Sequence, residues 1–557
     1  MIEAAALDAA LQSGLSAAEA ATAALTDALA AATEDPKRPF SLSTSRLHAH
    51  GEAAFELARW VAELRASRAL LAAFSGLPES SRQRALARYA VAQRIRSVRS
   101  AIAAAADLFA GGVDVEVELD AATRAALAEA VGSEATDALA GWILGGGAST
   151  AASYALSGDH EDIRSLFRDF ADEKVAPLAE HIHREDALLP EELLSAYAEI
   201  GALGITIPPD WGGHFIDHRA MALATEELSR ASLGAGGSVI TRPEIASKAL
   251  LAGGTKEQKK HWLPRIASGE EIVGIAVTEP GAGSDVASLR LAAEPTEGGW
   301  LLNGEKTWCT FAGRASVLLV LARTGAADSG AKGLTLFLVP KPPTKAPADD
   351  RSFAHEDGRG GTLSGRAIPT VGYRGMHSFT CFFENWFVPD DLRVGELGGG
   401  FVLQMKGFAG GRIQTAARAV GVMEAALRSA VAYCNERRVF GRDLGSLPLV
   451  RRKLVDMAAA IALSRQMTLQ VCDAMDDHQG DVDASLVKLL ACKDAEAVSR
   501  EAMQLHGGMG YSEEYAVSRY WQDARVLSIF EGAEEVLAIL VIARALLRDA
   551  LAAKAAS

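Results

Sequence analysis

The residue best placed to do chemistry is Glu531, in the stretch Trp521 to Ile542, WQDARVLSIFEGAEEVLAILVI. A β-like run, Val526 to Phe530, meets Glu531-Gly532, and a strongly apolar helical pattern begins beyond it. That order puts a carboxylate at a chain turn between two buried segments, beside a residue with no side chain. Stripping water from a carboxylate in such a turn is how a general base is prepared. The simpler alternative is an acidic residue in a helix's first turn, favoured by the helix dipole. Two other places carry useful residue types. Gly281-Ala282-Gly283 follows the apolar run Ile272 to Thr278, so backbone N–H groups there can approach a ligand closely. Arg242 is the lone charge in the small, apolar stretch Gly236 to Pro243. A guanidinium there is either paired within the fold or reaches a ligand.

The elements that must position these residues follow from period and composition. A chain of 557 residues, 49% of them apolar, holds several domains with sizeable cores. Residues 1 to 150 are Ala-rich and read as helices; Gly51 to Phe74 carries Phe55, Leu57, Trp60, Val61, Leu64 and Leu70 at helical spacing. Gly111-Gly112 is the first glycine punctuation there, Pro78-Glu79-Ser80 suggests a further helix start, and Leu144 to Ser149 a linker. The helix after Pro78 carries Arg82, Arg84, Arg88, Arg94, Arg96 and Arg99, either an anion site or a solvated face with acidic partners. Residues 151–272 are again helical, with Glu226-Glu227 expected on an exposed face. At Glu271 the period changes to 2, and residues 273–396 read as a β domain with Asn303-Gly304 as a hairpin turn. Residues 397–557 return to long, apolar-striped helices, which suggests an antiparallel bundle. The expected fold is thus mainly α with a central β domain and an N-terminal helical extension.

A net charge of −15 and a pI near 5.4 argue against a nucleic-acid surface. Five cysteines without a C-x-x-C pair read as reduced thiols, and no metal-ligand pattern stands out. The start, MIEAAALDAALQ, lacks the basic region of a signal peptide, and no apolar run reaches membrane-spanning length. A cytoplasmic protein is expected.

Five motifs in order resemble the acyl-CoA dehydrogenase family over about residues 155 to 555. They are Val277 to Asp285 (VTEPGAGSD), Asn303 to Thr310 (NGEKTWCT), Glu436 to Gly441 (ERRVFG), Gln504 to Tyr511 (QLHGGMGY) and Asp523 to Gly532 (DARVLSIFEG). The resemblance implies a helical domain, a β-barrel domain and a C-terminal four-helix bundle. It also implies FAD as cofactor, with Val277, Thr278, Ser284, Trp308 and Thr310 around it. Arg437 and Phe440 would reach the FAD of a neighbouring subunit, with Gln504, Gly507 and Gly508 at its other end, so a homo-oligomer (dimer or tetramer) is implied. Glu531 would take the α-proton of an acyl-CoA thioester, and FAD would accept the β-hydride. The enolate oxygen would be held by N–H and hydroxyl donors, and electrons would leave to an electron-transferring flavoprotein. The alternative base position of the family corresponds here to Gly411, which leaves the role with Glu531. Departures from the family pattern are Ala533, Glu534 and Glu535 after Gly532, Pro448 where Gln is common, and the glycine spacing after Trp211.

By the same resemblance, Ser284 and Gly532 would contact substrate, and Arg242 falls in the segment that lines the acyl pocket. A guanidinium there opposes a fatty chain and suits a second carboxylate, with Arg374 and Arg412 as rivals. The expected substrate is a short, branched dicarboxylic acyl-CoA. Alternatives are another short- or medium-chain acyl-CoA, an oxidase rather than a dehydrogenase, Arg242 paired to Glu244 with a monoacid substrate, or a nucleic-acid-binding flavoprotein of this fold.

Overall fold

A computed structural model describes residues 4–109, 115–147, 156–343 and 351–556. The chain forms two compact units, Met1–Ser157 with Thr415–Ser557, and Gly158–Gln414. The expected glycine punctuation at Gly111-Gly112, the end of the linker at Ala148-Ser149 and the expected boundary at 150/151 lie outside the described residues.

In the first unit, the N-terminal helices pack directly on C-terminal ones. The helix Pro448–Asp476 lies against Gly51–Phe74, Arg82–Ala104 and Ser133–Leu144, and Ala4–Thr33 lies against Arg544–Ala556. The helix Gly51–Phe74 spans the stretch its apolar spacing marks, burying Leu57, Trp60, Leu64 and Leu70. The next helix begins at Arg82, later than Pro78 suggests, because the Ser81 hydroxyl accepts from Arg84 N and caps it there. Three of its six arginines are committed inside the unit, while Arg82, Arg96 and Arg99 are exposed. Arg84 and Arg88 both pair with Asp8 at 2.6 Å, and Arg94 forks onto Asp494 at 2.7 and 2.9 Å. Arg84, Arg88 and Arg94 tie helices together, whereas Arg82, Arg96 and Arg99 keep the expected solvated positions. Beside them Tyr89 donates to Asp456 Oδ1 at 2.5 Å and accepts from Arg452 at 2.8 Å.

The second unit joins the helices Gly158–Phe170, Ala176–Glu185, Glu191–Glu199, His218–Ala231, Thr241–Gly253 and Lys256–Ala267 to a nine-stranded sheet. The strands are β1 (Val273–Ala276), β2 (Ala292–Thr296), β3 (Gly299–Thr310), β4 (Val317–Arg323), β5 (Leu334–Pro340), β6 (Ser352–Glu356), β7 (Thr362–Ile368), β8 (Ser378–Pro389) and β9 (Arg393–Val394). Their order is β6-β7-β8-β3-β2-β4-β5-β9, with β1 parallel to β4. Strand β4, VLLVLAR, shows no polar alternation because both its faces are covered. Val317, Leu319 and Leu321 pack with the helical residues Leu250, Leu263 and Ile266; Leu318 and Val320 pack with Leu302, Phe379 and Phe383 of neighbouring strands.

Two expectations fail here. Asn303-Gly304 is not a hairpin turn, since β3 runs straight through it. Its partner β8 pairs along nearly its whole length, and Gly304, at φ 133°, sits in the register shift between Leu302 and Gly304. Glu226 and Glu227 are buried, not exposed. Glu227 gathers Arg164 at 3.0 Å, Arg168 at 2.6 Å and Arg230 at 2.9 Å. Burial alone would raise its pKa, but the Arg168 hydrogen bond and the three guanidinium charges overcome it and hold the carboxyl down at about 2.

Candidate active site

Glu531 lies in the first unit, and the segment before it is not β-like. The helix Val517–Leu527 carries the chain in, because Val517, Arg519, Asp523, Ala524 and Leu527 recur at helical spacing and are buried. Phe530 N still bonds back to Val526 O at 3.1 Å. Glu531 then turns the chain in the left-handed region at φ 54°, and Gly532 follows at φ 102°. A glutamate held there costs on the order of 1–3 kcal/mol, so its surroundings must enforce the conformation. Lys488, fully buried on the helix Asp481–Leu505, donates to Gly532 O at 2.7 Å. The guanidinium of Arg418, also fully buried, stands 4.7 Å from the centre of the Phe530 ring. Oxygen Oε2 of Glu531 is buried and has no hydrogen-bond partner among the described residues. A carboxylate oxygen in that state can accept a proton from a substrate carbon.

Two other groups of expected residues stand exposed on this unit. Strands β10 (Arg438–Val439) and β11 (Arg442–Asp443) pair as a hairpin whose turn, Phe440-Gly441, has φ 51° and 75°. That turn lifts Phe440 out to 90% exposure, and Arg437 is exposed at the hairpin's base. Gln504, Gly507 and Gly508 are exposed where the helix Asp481–Leu505 ends. Any Cβ at either glycine would meet open space.

The second unit assembles the expected Val277–Thr278 and Trp308–Thr310 positions on neighbouring strand ends. Thr307 N bonds Thr278 O at 2.8 Å, which locks the end of β1 to β3. Lys306, fully buried, donates to Val277 O at 2.9 Å and to Glu279 Oε1 at 2.8 Å. Glu279 in turn accepts from Arg290 N at 2.7 Å and Leu291 N at 2.8 Å, closing the turn after β1. Burial pushes the Lys306 ammonium below its ordinary range, with Glu279 opposing the shift. Beyond Lys306, a second register shift against β8 lets Trp308 take φ 58°, and its indole stays 55% exposed. A large aromatic left exposed near the end of a strand is a platform for a flat ligand. The Thr278 hydroxyl makes no hydrogen bond among the described residues, while the Thr310 hydroxyl meets Ser378 at 2.9 Å. An added Cβ at Gly281 would meet open space and one at Gly283 only the Thr278 methyl, at 3.6 Å, and Ser284 is exposed on the same loop.

Arg242 is buried in the first turn of the helix Thr241–Gly253. It donates to Ser238 O at 2.6 Å and to Tyr373 Oη at 2.8 Å. The expected alternative, pairing with Glu244, does not occur: Glu244 pairs with Lys248 at 2.7 Å, and Arg242 has no carboxylate partner among the described residues. Of its rivals, Arg374 donates to His183 O and Thr370 O and stands 3.6 Å from Asp186. Arg412 lies half-buried on the helix Gly400–Glu436.

Sequence reading did not single out Lys306, Lys488, Arg418 or Tyr373. Lys488 left one signal, a lysine flanked by Leu486, Val487, Leu489 and Leu490, all of them buried.

One unit thus carries a buried carboxylate oxygen at a reversed turn, and the other an exposed indole near a Thr278 hydroxyl that makes no hydrogen bond among the described residues. Comparison with known proteins gives the class. The chain matches the acyl-CoA dehydrogenase N-terminal domain over residues 157–270, the middle domain over 274–386 and the C-terminal domain over 398–547. It is 42% identical over 403 residues to (2S)-methylsuccinyl-CoA dehydrogenase of Cereibacter sphaeroides, covering 72% of each chain. It is 34% identical over 398 residues to human mitochondrial short-chain specific acyl-CoA dehydrogenase, covering 71% of this chain and 92% of that one. Butyryl-CoA dehydrogenase of Megasphaera elsdenii superimposes with a TM-score of 0.65 at 29% identity, over 71% of this chain and all of that one. The chain therefore belongs to the acyl-CoA dehydrogenase family and is an oxidoreductase acting on CH–CH bonds. Residues 1–156 lie outside all three matched domains. No helix among the described residues is long and apolar enough to cross a membrane.

Proposed function

We propose that this enzyme carries out FAD-dependent α,β-dehydrogenation of a short, branched dicarboxylic acyl-CoA, (2S)-methylsuccinyl-CoA to mesaconyl-CoA, in the ethylmalonyl-CoA pathway. The observation that carries the substrate reading is Arg242. Its donors meet only a carbonyl and a hydroxyl, with no carboxylate among the described residues. A buried guanidinium without a counter-charge is costly. A ligand carboxylate would supply the missing charge, whereas a fatty chain would make the cost worse. The 42% identity to a methylsuccinyl-CoA dehydrogenase supports the same reading.

In this reading Glu531 takes the α-proton of the thioester, whose carbonyl makes that proton acidic. The free Oε2 of Glu531 suits it to the task. Glu531 N–H and a hydroxyl of the cofactor's side chain would donate to the thioester oxygen as negative charge gathers there. The residues that would hold FAD are Val277, Thr278, Trp308 and Thr310 at the ring system and Ser284 toward the phosphates. The exposed Trp308 indole and unpaired Thr278 hydroxyl fit a flat, hydrogen-bonding ring. When bound, FAD accepts the β-hydride. The projecting Phe440 with Arg437, and exposed Gln504, Gly507 and Gly508, suit a second copy's cofactor, so a homo-oligomer belongs to the reading. Electrons would pass on to an electron-transferring flavoprotein, and a cytoplasmic setting fits the sequence.

The test is anaerobic bleaching of the purified yellow protein by (2S)-methylsuccinyl-, butyryl-, isobutyryl-, glutaryl- and octanoyl-CoA. Preferential bleaching by methylsuccinyl-CoA, lost in Arg242→Leu, is the expected result. Best bleaching by butyryl- or octanoyl-CoA would make Arg242 structural and remove the dicarboxylate reading.

A further inference from the structure

We infer that Lys488 is a positioning residue for catalysis: its buried ammonium, bonded to the Gly532 carbonyl, anchors the turn from which Glu531 presents its carboxylate. The inference rests on Glu531 being the base.

The geometry is specific. Glu531 and Gly532 are consecutive residues with φ of 54° and 102°. Nothing intrinsic to a glutamate favours that backbone, so something outside the turn must hold it. The peptide that follows Glu531 ends in the Gly532 residue, and the Gly532 carbonyl oxygen receives Lys488 Nζ at 2.7 Å. That carbonyl belongs to the Gly532–Ala533 peptide, so holding it anchors the turn on the C-terminal side of Glu531 and restrains how the Glu531 backbone can rotate. Phe530 N and Ile529 N bond back to Val526 O, and Glu534 N bonds to Ser528 O, but these hold the flanks. Gly532 itself has space only for hydrogen, since an added Cβ would lie 2.9 Å from Leu537 Cδ2.

Packing alone does not account for a lysine here. Lys488 is fully buried on a helix face that also buries Ala484, Ser485, Leu489, Ala491 and Cys492. A methionine would fill that space without the cost of desolvating an ammonium. The charge is placed where it meets a backbone oxygen one residue from the base. A bond from a charged donor is stronger than a neutral one and holds the turn more stiffly. Small errors in the placement of a reacting group cost large factors in rate, while substrate binding elsewhere is left intact.

The experiment compares Lys488→Met, Lys488→Gln and Lys488→Arg with the parent enzyme, all as FAD-loaded full-length protein. Two quantities are read with the acyl-CoA that bleaches the parent best. One is the limiting rate of anaerobic flavin bleaching. The other is the Kd of the corresponding enoyl-CoA product, from the shift of the flavin spectrum. Lys488→Met should lower the bleaching rate about 10- to 100-fold while Kd stays within about threefold. Lys488→Arg, which keeps a charged donor, should recover more of the rate than Lys488→Met. A Lys488→Met rate within about twofold of the parent overturns the inference, as does a loss in rate matched by an equal loss in product binding. Where Lys488→Met fails to hold FAD, Lys488→Gln decides by the same split between rate and Kd. Glu531→Gln run alongside separates the two readings. If it bleaches normally, the base assignment fails; if it is inert while Lys488→Met is normal, only the role of Lys488 fails.

Discussion

Each unit of this enzyme contains a fully buried lysine whose ammonium bonds a backbone carbonyl at a functional turn, yet the two are built differently. Lys306 sits within a regular strand, meets Val277 O, and is balanced at 2.8 Å by Glu279, whose own oxygens close the next turn. Lys488 sits on a helix and meets Gly532 O, beside a glutamate in left-handed backbone. The first lysine belongs to an ion pair that a sheet would keep in place in any case. The second supports a turn that no regular element stabilises. The difference teaches that a buried cation can serve stability in one place and geometry in another, and that its partners tell which.

The comparison is sharpened most by removing the base itself. Glu531→Gln should keep the yellow flavin and the thermal midpoint, and lose about 10²- to 10⁴-fold in anaerobic bleaching rate. Near-normal bleaching would strip the Gly532 turn of its functional meaning. Next in size is Lys306→Met. It leaves Glu279 buried beside two N–H groups with no cation, so denaturant unfolding should show a loss of about 3–5 kcal/mol. FAD retention should fall with it, because Val277–Thr278 lose their anchor. A Lys306→Met protein as stable as the parent would break the contrast with Lys488.

A further buried ionic site supplies a control. Glu227 is held down at about 2 by three arginines, below the 4.5 of an ordinary glutamate. A depressed carboxyl adds stability that is fully present above about pH 4.5 and is lost as pH falls toward 2. The loss amounts to up to about 3 kcal/mol. The thermal midpoint of Glu227→Gln should be lower than the parent's at pH 7 and change less between pH 5 and 3. Equal slopes in the two proteins would refute the assignment. The smallest effect should come from Trp308→Ala. Its half-exposed indole contributes little to folding, about 0.5 kcal/mol or less, while the FAD content of the purified protein should fall.

Much of this was legible from residues alone. The helix Gly51–Phe74 was readable to its ends because a full apolar stripe crosses it, and the β segment was readable from its change of period. Glu531-Gly532 was recognisable as a turn because glycine follows the acid. Two of the misreadings share one cause, a local signal overruled by partners distant in sequence. Asn303-Gly304 has hairpin chemistry, but β8 pairs across it and turns it into a bulge. Glu226-Glu227 reads as a polar face until Arg164, Arg168 and Arg230 close over Glu227. Val526 to Phe530 looks β-like in isolation, but its first residues complete a helix whose buried face begins at Val517.

The sequence by itself determined the family and the order of helical and β segments, and it pointed to Glu531 and the Gly281–Gly283 turn as the proposed site. Those properties reside in short runs where residue type and spacing act locally. Only the tertiary structure decided that Arg242 lacks a carboxylate while Glu244 takes Lys248, that residues before 157 share a unit with the C-terminal helices, and that Lys488 props the turn of Glu531. The physical reason is that a buried charge is defined by its partners. Lys488 and Gly532 stand 44 residues apart in the chain, a separation that no periodicity encodes.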